Sequence, residues 1–230
     1  MRGYSDLSIH PRVGLFAYVP EREWRSICAA GISVQFQPSS VLLRQGDPTE
    51  HVHVIVAGCV KATRCEVDGS QALLTLRAAG DVVGDMSAVD RRPRSATVTA
   101  LTEVITYWLS GEQFRRFLAR PAMAAGFAAY TVGRLRESDR QRTEMAVLPV
   151  RQRLARTLMR LNREGSRASG RLPIRLPQRE LAELIGASRN AVVAELAALR
   201  AQGIVVTRRR ETEVVDLERL ARLADEPRVD

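Results

Sequence analysis

The sequence predicts an α+β chain in three parts: a roll of short strands, one long helix, and a small helical module closed by a hairpin. Three observations carry this. From Ser33 to about Leu109, apolar residues recur with period two in short runs divided by turn residues. After Pro121, which suits a first helical turn, Met123, Phe127 and Tyr130 follow helical spacing as far as a break at Leu148-Pro149. Between Gln178 and Ala201, Ala182 stands four residues before Gly186, and Gly186 six before Val192, the spacing of two helices crossing at a tight turn.

The chain has 230 residues, 45% of them hydrophobic, enough for two small domains with real cores. No apolar run approaches a membrane span, and the N-terminus lacks the basic-then-apolar layout of a signal peptide, so a cytoplasmic protein is expected. Cys28, Cys59 and Cys65 are too few for a disulfide framework. Cys59 and Cys65 are placed where they could face each other across a hairpin, though two reduced thiols on strands is the plainer reading. Net charge is +9, almost all of it arginine, with Lys61 the single lysine. From Pro149 to Arg210 fourteen Arg stand against four Glu. That local excess calls for an anionic partner, with nucleic acid the first candidate.

In chain order, Met1 to Val19 carries little pattern and reads as a partly ordered arm. Glu21 to Ala29 reads as a short helix with Trp24, Ile27 and Cys28 on one side. The strands follow, punctuated at Gln37-Pro38-Ser39, Gly46-Asp47-Pro48, Gly58, Asp68-Gly69 and Gly80-Asp81, which argues for a β-sandwich or jelly roll. His51 and His53 share a face, but no third ligand is at hand and no metal site is expected. Ser110 is placed to cap a helix carrying Phe114, Phe117 and Leu118 inward.

The stretch Gly80 to Ala100 carries the chemistry of the roll. Arg94 can supply a forked cation, Ser95 a hydroxyl, Gly84 close backbone approach, and Asp85 an acceptor for a sugar hydroxyl. The residues alone allow a phosphate pocket or a surface hairpin with an exposed Arg. The order Gly84-Asp85-Met86-Ser87, a short loop, then Arg94-Ser95-Ala96 resembles the phosphate-binding cassette of cyclic-nucleotide-binding domains. That family carries Glu where this chain has Asp85, one methylene shorter, so the bond to the ribose hydroxyl is expected to lengthen or pass through water. Arg44-Gln45-Gly46-Asp47-Pro48 is similar to the same family's early turn.

On the long helix the stripe Met123, Phe127, Tyr130 stands at coiled-coil spacing and continues into Arg134, Ser138, Gln141 and Met145. The polar turns either meet polar partners, touch a ligand, or face solvent. Resemblance to the catabolite-activator-like regulators implies that this helix is the dimer seam, with Arg134, Ser138 and Asp139 at the ligand.

The last part begins with an amphipathic helix from Val150 to Leu161, followed by an expected polar loop from Asn162 to Arg171 and a strand-like run from Leu172 to Pro177. The two crossing helices then carry Leu181, Leu184, Ile185, Leu196 and Leu199 as core, with Ser188 as cap of the second. Ile204–Thr207 and Glu213–Asp216 read as a hairpin whose tip bears Arg208, Arg209 and Arg210, suited to phosphates. Leu181 to Arg189 resembles the helix-turn-helix signature of the Crp/Fnr regulators, and the hairpin their wing. The resemblance implies DNA contacts from Gln178, Arg179, Ser188, Arg189, Asn190, Ala194 and the three wing arginines. Arg189 reads a guanine, while Asn190 suits adenine rather than the cytosine read by the Glu common there.

The expected domains are an arm at 1–20, the roll at 21–120, the helix at 121–148 and the DNA-binding part at 149–230. The whole is read as a homodimeric, cytoplasmic transcription regulator that binds a palindromic operator in double-stranded DNA and contacts RNA polymerase. No cofactor is required; the effector is a cyclic nucleotide, with cyclic AMP foremost. The alternatives are another small effector, DNA binding with no ligand, or a subunit that regulates a protein partner. No clustered nucleophile and base, metal motif or Walker loop points to an enzyme.

Overall fold

The computed structural model describes residues 12–169, 174, 176–208 and 211–225. A 3₁₀ turn (Gly14–Ala17) and α1 (Glu21–Ala30) lead into eight strands: β1 (Ile32–Phe36), β2 (Val41–Leu43), β3 (Val52–Ala57), β4 (Cys59–Cys65), β5 (Gln71–Ala78), β6 (Val82–Val83), β7 (Thr97–Ala100) and β8 (Val104–Leu109). A short α2 (Asp85–Asp90) lies between β6 and β7, and α3 (Gly111–Leu118) follows β8. The strands form two antiparallel four-stranded sheets, in the orders β1-β8-β3-β6 and β2-β7-β4-β5.

Leu43, Ile55, Val60, Val83, Val98 and Val104 form one core, with members from both sheets. The other face of the first sheet presents Val52, Val54, Val56 and Leu109 to Trp24, Ile27, Phe114, Phe117 and Met123. With both faces covered, β3 is buried along nearly its whole length, and each large aliphatic side chain so placed stabilises the fold by about 1.5–3 kcal/mol. Ser110 caps α3 by accepting from the Gln113 amide, and Gln113 returns the bond to the Ser110 amide.

The long helix α4 (Pro121–Val147) starts with Pro at its first position. Two residues beyond its end, α5 (Val150–Ser169) opens the C-terminal module. There α6 (Gln178–Ile185) and α7 (Arg189–Ala201) pack on α5, β9 (Val205–Arg208) pairs with β10 (Glu211–Val214), and α8 (Leu217–Asp225) closes the core against α5.

Several expectations are corrected. The segment from Arg12 is docked rather than a loose arm: Leu15, Phe16 and Val19 are core residues, and Phe16 stacks on Trp24 with ring centroids 4.9 Å apart. A single turn of 3₁₀ helix is too short to show a period, which hid it; residues 1–11 lie outside the described residues. Cys59 and Cys65 do not face each other, because they stand at opposite ends of β4, opposite Ala78 and Gln71.

The Met123, Phe127, Tyr130 stripe packs into the chain's own core and is therefore no free seam. The exposed large apolar residues of α4 are Val132 and Leu135 midway along it, at 47% and 58% exposure, and Met145 and Val147 at its end. The loop expected from Asn162 is a continuation of α5 to Ser169, since Arg, Glu and Ala favour helix and a single Gly165 is tolerated. The expected strand-like run is reduced, among the described residues, to a bridge between Ile174 and Thr212. The wing strands sit one or two residues from the expected positions, with Arg208 paired to Glu211. Arg209 and Arg210 lie outside the described residues.

Candidate functional site: a basic cleft and a recognition helix

The cleft lies between α2, the residues leading into β7, strand β5 and α4. It encloses about 460 Å³ of empty space, its open mouth included. At one end the chain turns through Gly84, whose φ of +84° is left-handed. A Cβ there would stand 2.7 Å from the His51 carbonyl oxygen and 2.8 Å from Arg94 Nη1, so the turn requires glycine.

Arg94 is only 4% exposed. Its Nη1 donates to the Gly84 carbonyl at 2.9 Å, Nη2 to the His51 carbonyl at 2.5 Å, and Nε to Thr49 Oγ1 at 3.1 Å. These bonds aim the guanidinium but supply no formal charge. Burial lowers its pKa, with Asp47, Asp85 and Glu50 only partly opposing. A buried cation so weakly neutralised is suited to an anion.

Asp85, the first residue of α2, is held by Arg134 of α4 at 2.7 Å. Burial works against the Arg134 charge, yet Asp85, then Tyr130 and Asp81, outweigh it and raise the pKa. Arg134 lies over the Tyr130 ring, 5.4 Å from its centroid, and Tyr130 donates to Asp81 Oδ1 at 2.9 Å. Burial, reinforced by Asp81, pushes the Tyr130 hydroxyl far above its ordinary value, so it stays a donor.

Of the ten residues assigned to the ligand, Gly84, Asp85, Met86, Ser87, Arg94, Ser95, Ala96 and Arg134 line this cleft. Ser138 and Asp139 do not line the cleft of their own chain, and exposed Asp139 pairs with Arg142 at 3.4 Å. One further helical turn carries them past it. Sequence reasoning missed Thr75 and Arg77, which also line it. Their two-residue spacing on a strand, which puts both on one face, was the available signal.

In the C-terminal module Gly186 ends α6 with φ +59°, and Ser188 caps α7 by accepting from the Ala191 amide at 3.2 Å. Leu181, Ala182, Val192, Leu196 and Leu199 are buried. Arg189, Asn190, Val193 and Ala194 are exposed on α7. Val193, 40% exposed at a position where the other valine, Val192, is buried, was missed; an aliphatic group on that face suits a thymine methyl. Gln178 is half-buried at the start of α6, while exposed Arg179 pairs with Glu183 at 3.1 Å. Ser188 and Arg208 are exposed. Among the described residues no three His, Cys, Asp or Glu converge to hold a metal, and no helix is long and apolar enough to cross a membrane.

A β-roll with an anion-ready cleft, joined by a long helix to a helix-turn-helix with a wing, defines a ligand-responsive, DNA-binding transcription regulator. The cyclic nucleotide-binding domain family matches residues 33–121, and the Crp-like helix-turn-helix domain matches residues 152–223. The chain is 30% identical over 217 residues to a CRP-like cAMP-activated global transcriptional regulator of Mycobacterium tuberculosis, covering 93% of this chain and 97% of the relative. It is similar to the crystal structure of Thermus thermophilus catabolite activator protein, at 27% identity and a TM-score of 0.51, over 92% of this chain and 98% of that one. It shares the fold of the c-di-GMP responsive regulator CLP of Xanthomonas campestris, at 22% identity and a TM-score of 0.68, over 85% of this chain and 99% of that one. The chain belongs to the Crp/Fnr family of regulators.

Proposed function

We propose that the protein is a homodimer that binds a palindromic operator and that a cyclic nucleotide in the β-roll cleft sets its DNA affinity. The observation that carries this is Arg94: buried, aimed by three protein acceptors, and short of neutralising charge beside the open turn at Gly84. A phosphodiester meets that need, with Ser95 adding a hydroxyl. Cyclic AMP is the first effector to test, because the Mycobacterium tuberculosis relative is named as cAMP-activated. Val132 and Leu135 supply exposed apolar surface midway along α4 for the dimer seam, and Ser138 and Asp139 meet the effector across it. The roll at 21–120 senses, the helix at 121–148 dimerises, and 149–230 binds DNA and adjoins RNA polymerase in the cytoplasm. Effector binding shifts a population between arrangements of these parts.

The test is operator-library binding by the purified protein at fixed salt, with and without cyclic nucleotide. Sharper specific binding with the nucleotide supports the reading. Specific binding indifferent to it leaves the DNA module in place and removes the nucleotide from the cleft.

A further inference from the structure

We propose that Glu144 is a positioning residue that fixes the angle between the long helix and the DNA-binding module, and thereby the half-site spacing that the regulator accepts. This role rests on the reading of a homodimer on a palindromic operator. Between α4 and α5 stand only Leu148 and Pro149, and Leu148 is extended at φ −99° and ψ 145°. The proline ring fixes its own φ, but the torsions of Leu148 are free to turn, so the link alone does not set the angle. Side chains set it. The two helices run back along one another, with Arg156 and Arg160 of α5 reaching Glu144, and Arg160 Nε 3.9 Å from Glu137 Oε1. Glu144 is 6% exposed. Its Oε2 accepts from Arg160 Nη1 at 2.7 Å and its Oε1 from Arg156 Nη1 at 3.4 Å.

Arg156 and Arg160 lie one helical turn apart, so the two carboxylate oxygens grip successive turns of α5. Sliding or turning α5 against α4 breaks at least one of these bonds, whereas purely apolar contacts have no direction to lose. Desolvation makes such a buried cluster a weak source of stability, and what it supplies is direction. The same helix carries the grip into the rest of the module. Arg156 Nε donates to the Ala224 carbonyl of α8 at 3.0 Å. Arg153 Nη1 donates to the Ile185 and Gly186 carbonyls at 2.7 and 3.1 Å, at the turn that leads into α7. Met145, next to Glu144, packs at that turn, its Sδ 3.1 Å from where a Cβ on Gly186 would stand. Thus α5, α6 and α8 are tied to the last turns of α4 at one place. In a dimer joined along α4, the separation of the two recognition helices follows from this angle. At a lever arm of one to two helix diameters, roughly 10–20 Å, a swing of about 5–10° in each protomer changes that separation by about 3.4 Å, one base-pair step.

The test titrates the full-length protein with duplexes that carry two copies of its selected half-site, their spacing varied one base pair at a time, and with a duplex that carries one. The wild-type protein is expected to prefer one spacing over its neighbours by about tenfold or more. Glu144→Gln, which keeps the shape and removes the charge, is expected to cut that preference to less than about threefold, with affinity for the single half-site unchanged. Arg160→Lys, which keeps the charge and gives up the second arm, is expected to act in the same direction, and it carries the test if Glu144→Gln does not fold. Circular dichroism and thermal melts establish which variants fold. A spacing preference unmoved in the folded variants, or a loss shared equally by the single half-site, overturns the assignment of Glu144 alone. A wild-type protein that gains nothing from a second half-site at any spacing overturns the dimer reading together with it.

Discussion

Arg134 of the long helix grips the carboxylate of Asp85 at 2.7 Å, so the first residue of α2 is tied to α4 before any ligand arrives. The pair is largely buried, with side-chain exposures of 27% and 9%. On the proposed cyclic-nucleotide reading, the carboxylate is contested between the helix and the ligand's sugar hydroxyl. A ligand that competes for Asp85 thus acts on the position of α4.

The first prediction concerns that pair. Asp85→Asn and Arg134→Gln are each expected to destabilise the protein, because each leaves a part-buried charge without its partner. The double variant is expected to recover part of the loss, with a coupling of about 1–3 kcal/mol for a part-buried, hydrogen-bonded ion pair. Urea denaturation of the four proteins measures it. Additive losses would show that the two side chains are energetically independent.

A second prediction follows from His53. It is buried, its Nδ1 lies 2.9 Å from Thr106 Oγ1, and burial, with His51 and Arg94 nearby, pulls its pKa from 6.5 down to about 3. The unfolded chain therefore takes up a proton that the folded chain refuses. Stability is complete above about pH 6.5 and is lost as pH falls through that value toward 3. Between pH 6.5 and 5 the loss from this group is about 2 kcal/mol. His51, also lowered by burial and by Arg94, acts in the same direction. Denaturation midpoints at pH 7 and pH 5 are expected to differ in the wild-type protein and to draw together in His53→Leu.

The third prediction separates positioning from reading on the DNA face. Arg189 is exposed at the start of α7, so Arg189→Ala is expected to leave the melting temperature unchanged. It is expected to cost about 1–3 kcal/mol of operator binding and to relax specificity at one base pair. Arg179→Ala is expected to weaken binding to all sequences alike and to reduce the salt slope by about one. Val193→Ser is expected to lower the preference for thymine at its position without changing the salt slope. Binding selections at two salt concentrations distinguish these outcomes.

Much of this was legible in the sequence, and what was not has identifiable causes. The capping residues Ser110 and Ser188, the left-handed Gly84 and Gly186, and the period of the strands are local signals, and the structure places each as the pattern requires. Arg94 was legible because its neighbours are sequential. The partners of Arg94 were not: Thr49 and His51 lie more than forty residues away, and their contribution comes partly from a backbone carbonyl that no residue type advertises. The apolar face of α4 was misassigned for a similar reason. Met123 and Tyr130 have the spacing of a seam, and spacing alone cannot distinguish a partner's helix from the chain's own core. Arg77 was passed over as one arginine among many, because charge counts carry no information about which guanidinium is already paired.

The last prediction joins the two functional regions. Strands β4 and β5 have the cleft on one face, through Ala62, Thr75 and Arg77. Their other face carries Leu76, packed against the C-terminal core, and Lys61, whose Nζ stands 2.5 Å from Glu180 Oε1 on α6. Leu73 of β5 belongs to that same core. Anything that shifts β4 and β5 on the cleft side moves the support on which the helix-turn-helix rests. Lys61 and Glu180 are about one-fifth exposed, so the pair is sheltered enough to be specific and near enough to water to open. Lys61→Met and Glu180→Gln are each expected to reduce the effector's fold-effect on operator binding by about tenfold, equivalent to about 1.4 kcal/mol of coupling. Linkage requires operator DNA to lose the same factor in its effect on effector affinity, and titrations run in both orders check that equality. Undiminished coupling in both variants would place the communication in α4 and its Asp85–Arg134 contact instead.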